Sequence, residues 1–212
     1  MSSIMWSYHS HVSEVMDIYS GLVGPMVIYK PGMLGPDGLP TDIDREYVLY
    51  LLVGDENQSR YLEHNINTDC GVPSSVDVGD DDFIESNLMH GINGLLYCNL
   101  NDFFMCEGET VRWYTFAFGT EVDLHTRESS VFFASKTKQT KTNQHFFFPA
   151  VHWHANTLLM DGHRVDVQEL LPASMRTLDM TVDNPGNWLI HCHVTGFFFS
   201  FSFSFFLRLL PS

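Results

Sequence analysis

The sequence predicts an all-β fold of the sandwich or barrel type. Several short runs of β-branched and aromatic residues alternate with Gly, Asn and Asp, a pattern typical of strands joined by turns. A sustained 3.6-residue apolar period is not visible, so the sequence does not predict long amphipathic helices. A chain of 212 residues is long enough to bury a sizeable core in one or two domains.

The strand candidates follow one another along the chain. Each is a short apolar or aromatic run bounded by turn residues. The predicted strands are residues 21–29, 47–53, 92–97, 110–118, 178–182 and the run that ends at His193. Residues 30–40 are rich in Gly and Pro and predict a linker. The acidic residues 77–82 predict a solvated turn.

The linker divides the chain into two units. We predict that residues 1–30 are the C-terminal piece of a first domain, because 30 residues rarely make a domain, and that residues 31–212 form a second domain. The start of the first domain is therefore expected to be missing from the chain. A signal peptide is not predicted, since no charged segment followed by an apolar run opens the sequence.

Composition limits the classes of partner. The chain has 11 Lys and Arg against 26 Asp and Glu, a net charge of −15, so nucleic acid and anionic membranes are poor partners. An acidic surface suits metal cations, or simply solubility. Four cysteines are too few for a disulfide scaffold: Cys70, Cys98, Cys106 and Cys192.

Two segments depart from the rest of the sequence in composition. Residues 127–150 and 196–212 contain 12 of the 17 phenylalanines. The composition changes sharply at the start of each segment, as is typical of low-complexity segments. This shift in composition marks residues 127–150 as a suspect insert and residues 196–212 as a suspect tail. The alternative is a genuine loop and a hydrophobic C-terminus. The tail is shorter than the roughly 20 residues that span a bilayer.

The chemistry is concentrated in a turn and strand near residue 190. Asn184-Pro185-Gly186 predicts a turn, and the apolar run after it ends in His191-Cys192-His193. Because successive strand side chains point to opposite faces, His191 and His193 should face one way and Cys192 the other. Two imidazoles can hold a metal, and a thiolate suits a soft, copper-like ion. The alternative is a strand end with two surface histidines and a buried thiol.

Two further pairs have the same His-x-His spacing. They are His9 with His11 and His152 with His154, so six of the 11 histidines fall into three pairs. Each pair places two rings on one strand face. The three pairs together predict metal binding.

Three segments identify a family resemblance. The run Trp-Ser-Tyr-His-Ser-His-Val that starts at Trp6, the run Asp-Ile-Tyr-Ser-Gly-Leu-Val-Gly-Pro that starts at Asp17, and residues 188–195 resemble multicopper oxidases of the ceruloplasmin/hephaestin type. The resemblance covers most of residues 6–126 and 151–195. It implies cupredoxin-like domains, which are Greek-key β-barrels, in agreement with the all-β prediction.

The resemblance also implies a set of copper ligands. His125 and Cys192 match ligands of the type 1 copper, and six histidines match the trinuclear type 2/type 3 cluster: His9, His11, His152, His154, His191 and His193. Deleting residues 127–150 joins His125 to His152 as His-x-x-His-x-His, the family's third motif. The resemblance therefore implies that the suspect insert, and likewise the suspect tail, is translated non-coding sequence. The first motif would precede Met1, and the remaining type 1 ligands would follow Thr195. His145 and His163 match no ligand and are expected to be surface histidines.

A further segment implies a site for the reductant. Residues 83–90 resemble the ceruloplasmin segment whose Glu and His bind iron, and Glu85 and His90 match these two ligands. The family also has an Asp at this site, and Gly196 stands in its place. A carboxylate with an imidazole is a reasonable site for iron. The alternative is a loop with two satisfied polar residues.

The resemblance implies a secreted, copper-dependent oxidase that oxidises Fe(II) and reduces O2 to water. The alternatives are a laccase-like oxidase of phenols or amines, a non-catalytic scaffold like the coagulation-factor A domains, and a chain that is inactive because its sites are incomplete. His9 and His11 precede His125 by little more than one domain length. We therefore predict a homotrimer in which they complete a neighbour's cluster.

Overall fold

The computed structural model describes residues 1–96, 99–101, 103–119, 150–192 and 204–210. Strands dominate these residues, and the helices are short, so the all-β prediction is confirmed. The strands are β1 Ser3–His9, β2 Val23–Tyr29, β3 Arg45–Asp55, β4 Leu88–Ile92, β5 Phe103–Cys106, β6 Thr110–Ala117, β7 Ala150–Trp153, β8 Leu158–Met160, β9 His163–Val165, β10 Val167–Glu169, β11 Ser174–Thr181, β12 Gly186–Cys192 and β13 Ser204–Leu210. The helices are α1 Glu14–Tyr19, α2 Leu62–Asp69 and α3 Asp81–Ser86, with 3-10 turns at Glu56–Gln58 and Pro73–Ser75. Within the described residues, none of the helices is long and apolar enough to span a membrane.

Two sheets enclose the main core. One has the order β10-β7-β12-β13-β5 and the other the order β4-β3-β6-β11-β8-β9. Alternate residues of each strand point into the space between the sheets, as expected for a sandwich. Trp113 of β6 and Trp153 of β7 meet there, with ring centroids 6.1 Å apart. The two rings join the two layers at the centre of the core.

Strand β6 is buried on both faces. Val111 and Trp113 point into the main core, whereas Tyr114 and Phe116 belong to a second apolar cluster with Met5 of β1. Strands β1 and β2 pair with each other as a separate two-stranded sheet. We call this sheet the ribbon; it covers the outer face of the six-stranded sheet because both surfaces are apolar.

Polar contacts fasten the ribbon to the sheet. Arg112 of β6 has a side chain only 1% exposed and donates to Asp179 Oδ1 and Oδ2 at 2.7 and 2.9 Å. The same guanidinium donates to Ser2 Oγ at 2.7 Å and to Ser3 Oγ at 2.9 Å. It also lies 3.2 Å from Asp42 Oδ2. Two carboxylates and two hydroxyls therefore satisfy the buried cation.

Most strand predictions overlap observed strands, and one is wrong. Residues 21–29, 47–53, 110–118 and 178–182 overlap β2, β3, β6 and β11. The prediction for residues 92–97 fails because Asn93 and Gly94 form a turn after β4, with φ of 53° and 75°. These left-handed values suit Asn and Gly and end the strand.

The acidic turn also contains the start of a helix. Asp80 precedes α3, and its carboxylate accepts a hydrogen bond from Phe83 N at 3.1 Å. This is N-capping, which satisfies an otherwise unpaired backbone donor. The acidic residues after it, Asp81 and Asp82, lie in the first turn of the helix, where the helix dipole favours negative charge.

The two suspect segments are described only in part. Residues 127–149 lie outside the described residues, but Ala150 begins β7, pairs with Glu169 and is buried. In the tail, Ser204–Leu210 forms β13, antiparallel to β12 and parallel to β5. Leu209 is 2% exposed and belongs to the main core. The tail thus supplies a strand that its low complexity did not predict.

Candidate metal centre

Strands β7 and β12 bring two of the histidine motifs together. In their antiparallel pairing His152 is opposite His191, and Val151 is opposite Cys192. Directly opposed residues share a face and lie close enough to touch. Since Val151 and Cys192 belong to the core, the two histidines occupy the outer face of the five-stranded sheet.

His154 completes a group that we call the triad: His152, His154 and His191. One ring nitrogen from each residue lies within 4.8 Å of the other two. The closest pair is His154 Nε2 and His191 Nε2, 2.9 Å apart. Ring centroids of His152 and His154 are 4.1 Å apart. Three imidazole donors that converge in this way can hold a transition-metal ion, and copper is among the metals that imidazole suits.

The turn after β7 holds His154 in place. Ala155 has a φ of 56°, an uncommon value for a residue with a side chain. The turn is fixed by Asn184 Nδ2, which donates to Ala155 O at 3.0 Å, and by Asn156 Nδ2, which donates to His154 O at 2.8 Å. These contacts link the end of β7 to the turn before β12.

Two groups lie beside the ring nitrogens. A carboxylate oxygen of Asp166, Oδ2, lies 3.9 Å from His152 Nε2. The Nδ1 atom of His191 lies 3.3 Å from Cys192 O, in hydrogen-bonding range. Contacts of this kind orient histidine ligands and fix which nitrogen carries the proton. Asp166 could not be predicted from the sequence, because only the pairing of β10 with β7 places it next to His152.

Cys192 points away from the triad. Its side chain is in the main core, 5% exposed, beside the strand residues Val151 and Ile190. The alternation expected for His191 and Cys192 is therefore what the structure shows. The turn before β12 is closed by Trp188 Nε1, which donates to Asn184 O at 2.7 Å.

The other histidine pair lies elsewhere. His9 and His11 have ring centroids 4.8 Å apart, and the His9 ring is 5.1 Å from Phe118. His9 Nδ1 lies 3.5 Å from Glu14 Oε1. This pair belongs to the ribbon side of the six-stranded sheet, whereas the triad lies on the outer face of the opposite sheet. The described chain does not bring the two sets together.

Glu85 and His90 come from neighbouring elements. Glu85 lies in α3 and His90 in β4, opposite Val53 of β3. Burial lowers the pKa of His90, and the Glu85 carboxylate opposes that shift. The two side chains are thus close enough to interact electrostatically. The alternation of β3 puts Val53 and His90 on the face that also carries the core residue Leu51.

Three of the singled-out histidines, His125, His145 and His193, lie outside the described residues. The type 1 set of His125 and Cys192 therefore has one described member. His163 is exposed on β9, as expected for a surface histidine.

Comparison with known proteins reveals relatives of much greater length. Hephaestin of Homo sapiens is 41% identical over 196 residues, 91% of this chain and 15% of that protein. Ferroxidase HEPHL1 of Mus musculus is 40% identical over 193 residues, again 91% and 15%. Ceruloplasmin of Rattus norvegicus is 38% identical over 193 residues, 89% and 16%. The chain thus spans about a sixth of the length of these relatives.

A solved structure supports the fold. The blue copper oxidase from Nitrosomonas europaea superimposes with a TM-score of 0.59 at 17% identity, over 98% of this chain and 56% of that one. The sequence profile described as Multicopper oxidase matches residues 72–200, more than half of the chain. Copper is the cofactor that these matches imply, and the triad's donor set is compatible with it. By its sequence, this chain belongs to the multicopper oxidase family.

Proposed function

We propose that the chain carries copper-binding parts of an oxidase that takes single electrons from Fe(II) and reduces O2 to water. The observation that carries the proposal is the convergence of His152, His154 and His191. One of the relatives reported above is named a ferroxidase, and the sequence profile that matches residues 72–200 is described as Multicopper oxidase. The balance is four Fe(II), one O2 and four protons giving four Fe(III) and two waters.

The triad would hold cluster copper together with His193, and Cys192 would hold type 1 copper together with His125. When bound, copper supplies one-electron chemistry that amino acid side chains lack. His191 and Cys192 are consecutive in β12 and face opposite sides. A short covalent path through one peptide unit therefore connects the two proposed positions.

The triad needs a change of tautomer to bind copper through both close nitrogens. A hydrogen bond of 2.9 Å joins His154 Nε2 and His191 Nε2, so one of these two nitrogens carries a proton. A metal ligand nitrogen must be unprotonated. Cys192 O accepts at 3.3 Å from His191 Nδ1, which favours the tautomer with Nε2 free.

Copper binding by the chain itself tests this assignment. We expect the 212-residue protein to bind copper, and His152→Ala to weaken binding strongly. The matched control is His163→Ala, which removes an exposed imidazole outside the triad. Equal copper affinity for both variants would contradict the assignment of the triad.

For the reductant we propose Fe(II) bound by Glu85 and His90. A carboxylate and an imidazole suit iron, and burial keeps the His90 ring predominantly neutral by lowering its pKa. The alternative reductants are phenols or amines, as in laccase-like oxidases, and the alternative role is a non-catalytic scaffold. The retained triad favours catalysis over the scaffold.

A chimera with human hephaestin distinguishes Fe(II) from an organic reductant as the substrate of this site. The chain, without the suspect insert at residues 127–150, would replace the aligned segment of human hephaestin, which supplies the remaining domains. Glu85→Ala should slow Fe(II) oxidation and leave oxidation of a bulky organic reductant unchanged. Glu63→Ala, at an exposed position of α2, is the control. Equal loss for both reductants would instead indicate a structural role for Glu85.

We further propose that residues 1–30 end a first cupredoxin domain, that 31–212 form a second, and that His9 and His11 serve a cluster outside their own unit. Their placement on the ribbon, across the sandwich from the triad, supports this. In a homotrimer the recipient is the neighbouring subunit; in a longer chain it is another domain. Light scattering of the purified protein distinguishes a trimer from a monomer.

The proposal extends to an extracellular location, tested by recovery of the native protein from culture medium.

A further inference from the structure

A cavity of about 530 Å³ is bounded by β3, β4 and α2. Its volume is within the range of pockets that hold small molecules. Gly54 and Gly91 contribute to its wall. A Cβ atom at Gly91 would approach Leu96 Cδ2, an atom of another lining residue, to 3.2 Å, so the wall is closely packed at this position.

The cavity is separate from the sites proposed above. Met89 and Gly91 of β4 line it, and His90 lies between them. Because side chains alternate across a strand, His90 points to the other face of the sheet. The triad lies on the opposite sheet of the sandwich. A ligand in the cavity would therefore occupy neither the proposed iron site nor the proposed copper site.

The walls combine an apolar surface with negative charge. Leu62, Ile66 and Phe83 are among the apolar lining residues, and Glu56 and Asp69 are the acidic ones. Lys, Arg and His are absent from the lining within the part of the chain that the structure describes. A pocket of this composition favours a cation that carries an apolar body.

Glu56 is the group that would recognise the charge. Burial raises the pKa of its carboxyl, a hydrogen bond from Ser59 opposes the shift, and the neighbouring Asp55 adds to it. Among the described residues, Glu56 has no ion pair with a basic side chain. A partly desolvated carboxylate of this kind gains more from a cation than a fully hydrated one.

We propose that this cavity binds a small amphiphilic cation, with an ammonium group at Glu56 and an aliphatic body between α2 and the sheet. A neutral molecule of the same shape would fill the apolar part but leave Glu56 without a counter-ion. An anion would meet two carboxylates and no base. Selectivity for the cation is therefore the property that distinguishes this site from a merely apolar pocket.

Three probes of equal chain length test the selectivity. Titration calorimetry of the metal-free 212-residue protein would use n-hexylammonium, n-hexanol and n-hexanoate at neutral pH. We expect the ammonium to bind about tenfold or more tighter than the alcohol, as for a hydrogen bond to a charged group, and the carboxylate not to bind. Equal affinity for all three would overturn recognition by charge, and absence of binding by the ammonium would overturn the site.

Matched variants locate the binding. Glu56→Gln should weaken n-hexylammonium about tenfold and leave n-hexanol unchanged. Glu63→Gln makes the same chemical change at an exposed position of α2 that does not line the cavity, and it should leave both affinities unchanged. Ile66→Trp should abolish binding by filling the cavity, with circular dichroism to confirm the fold. Equal effects of Glu56→Gln and Glu63→Gln would assign the binding to general surface charge and contradict the proposal, whether or not Ile66→Trp folds.

Discussion

The triad and the ribbon histidines have the same local pattern and different surroundings. His152 lies in β7 and His154 directly follows this strand. The paired strand β12 places His191 directly opposite His152. His9 and His11 also lie close together, with ring centroids 4.8 Å apart, but His9 contacts Phe118 and Glu14. The His-x-His spacing brings two imidazole rings together in both regions. Only the pairing of β7 with β12 makes a three-nitrogen site.

The two regions also differ in what holds them. The triad is fixed by backbone pairing within one sheet, together with the turn contacts of Asn156 and Asn184. The ribbon is fixed to the sandwich by an apolar face and by the buried Arg112. A change at Arg112 should therefore act on the ribbon, and a change at His191 on the metal site.

The largest effect on the ribbon is expected from Arg112→Met. This change leaves Asp42 and Asp179 without their buried cation, and breaking a buried ion pair costs about 3–5 kcal/mol. Urea unfolding measures the loss of free energy. Arg176→Met, at an exposed position of β11, is the control and should cost less than about 0.5 kcal/mol. A similar loss for both would mean that the buried network does not hold the ribbon.

At the metal site, His191→Ala and His9→Ala should differ. Removal of His191 leaves two of three convergent nitrogens, so copper affinity of the isolated chain should fall more than about a hundredfold, the upper range for changes beside ligands. His9→Ala should leave that affinity unchanged, because His9 lies across the sandwich. Competition with a copper chelator measures both. In protein that light scattering shows to be monomeric, a comparable fall for His9→Ala would show that the two regions are coupled within one chain.

The ribbon should also loosen in acid. Burial of Asp42 opposes ionisation, but hydrogen bonds from Ser2 and Arg112 outweigh it and lower the pKa of Asp42. The stabilisation of the fold by ionised Asp42 is therefore complete above about pH 4, the pKa of this carboxyl in the unfolded chain. It is lost as the pH falls through the lower pKa of Asp42 in the folded protein. Asp42→Asn should cost about 1–2 kcal/mol at pH 7 and progressively less as the pH falls below about 4. Urea midpoints across this range measure the difference; a cost that is independent of pH would refute the ionic contribution.

The smallest effect is expected beside the triad. Asp166 lies 3.9 Å from His152 Nε2 and is 64% exposed, so Asp166→Asn should lower copper affinity by about tenfold or less. Glu169→Gln, an exposed change on β10, the strand that follows Asp166, controls for the loss of surface charge. If the two variants bind copper equally, Asp166 does not orient His152.

Local sequence patterns predicted much of the fold and part of the arrangement of the triad. The turn at Asn184 and the apolar run after it predicted β12, and strand alternation predicted opposite faces for His191 and Cys192, because both depend on neighbouring residues only. The failure at residues 92–97 has a local cause too, the left-handed turn at Asn93 and Gly94. Composition did not predict strand β13 in the tail, since this strand depends on pairing with β12 and β5, partners that low complexity does not indicate.

The sequence by itself determined the β architecture, the three histidine pairs and the family, since periodicity, spacing and motif identity are all properties of the linear chain. The tertiary structure decided which pairs meet. The register between β7 and β12 sets His152 against His191, and the packing of the ribbon on β6 carries His9 and His11 to the other side of the sandwich. Contacts between strands distant in sequence depend on the burial of whole faces, and no local pattern encodes that arrangement.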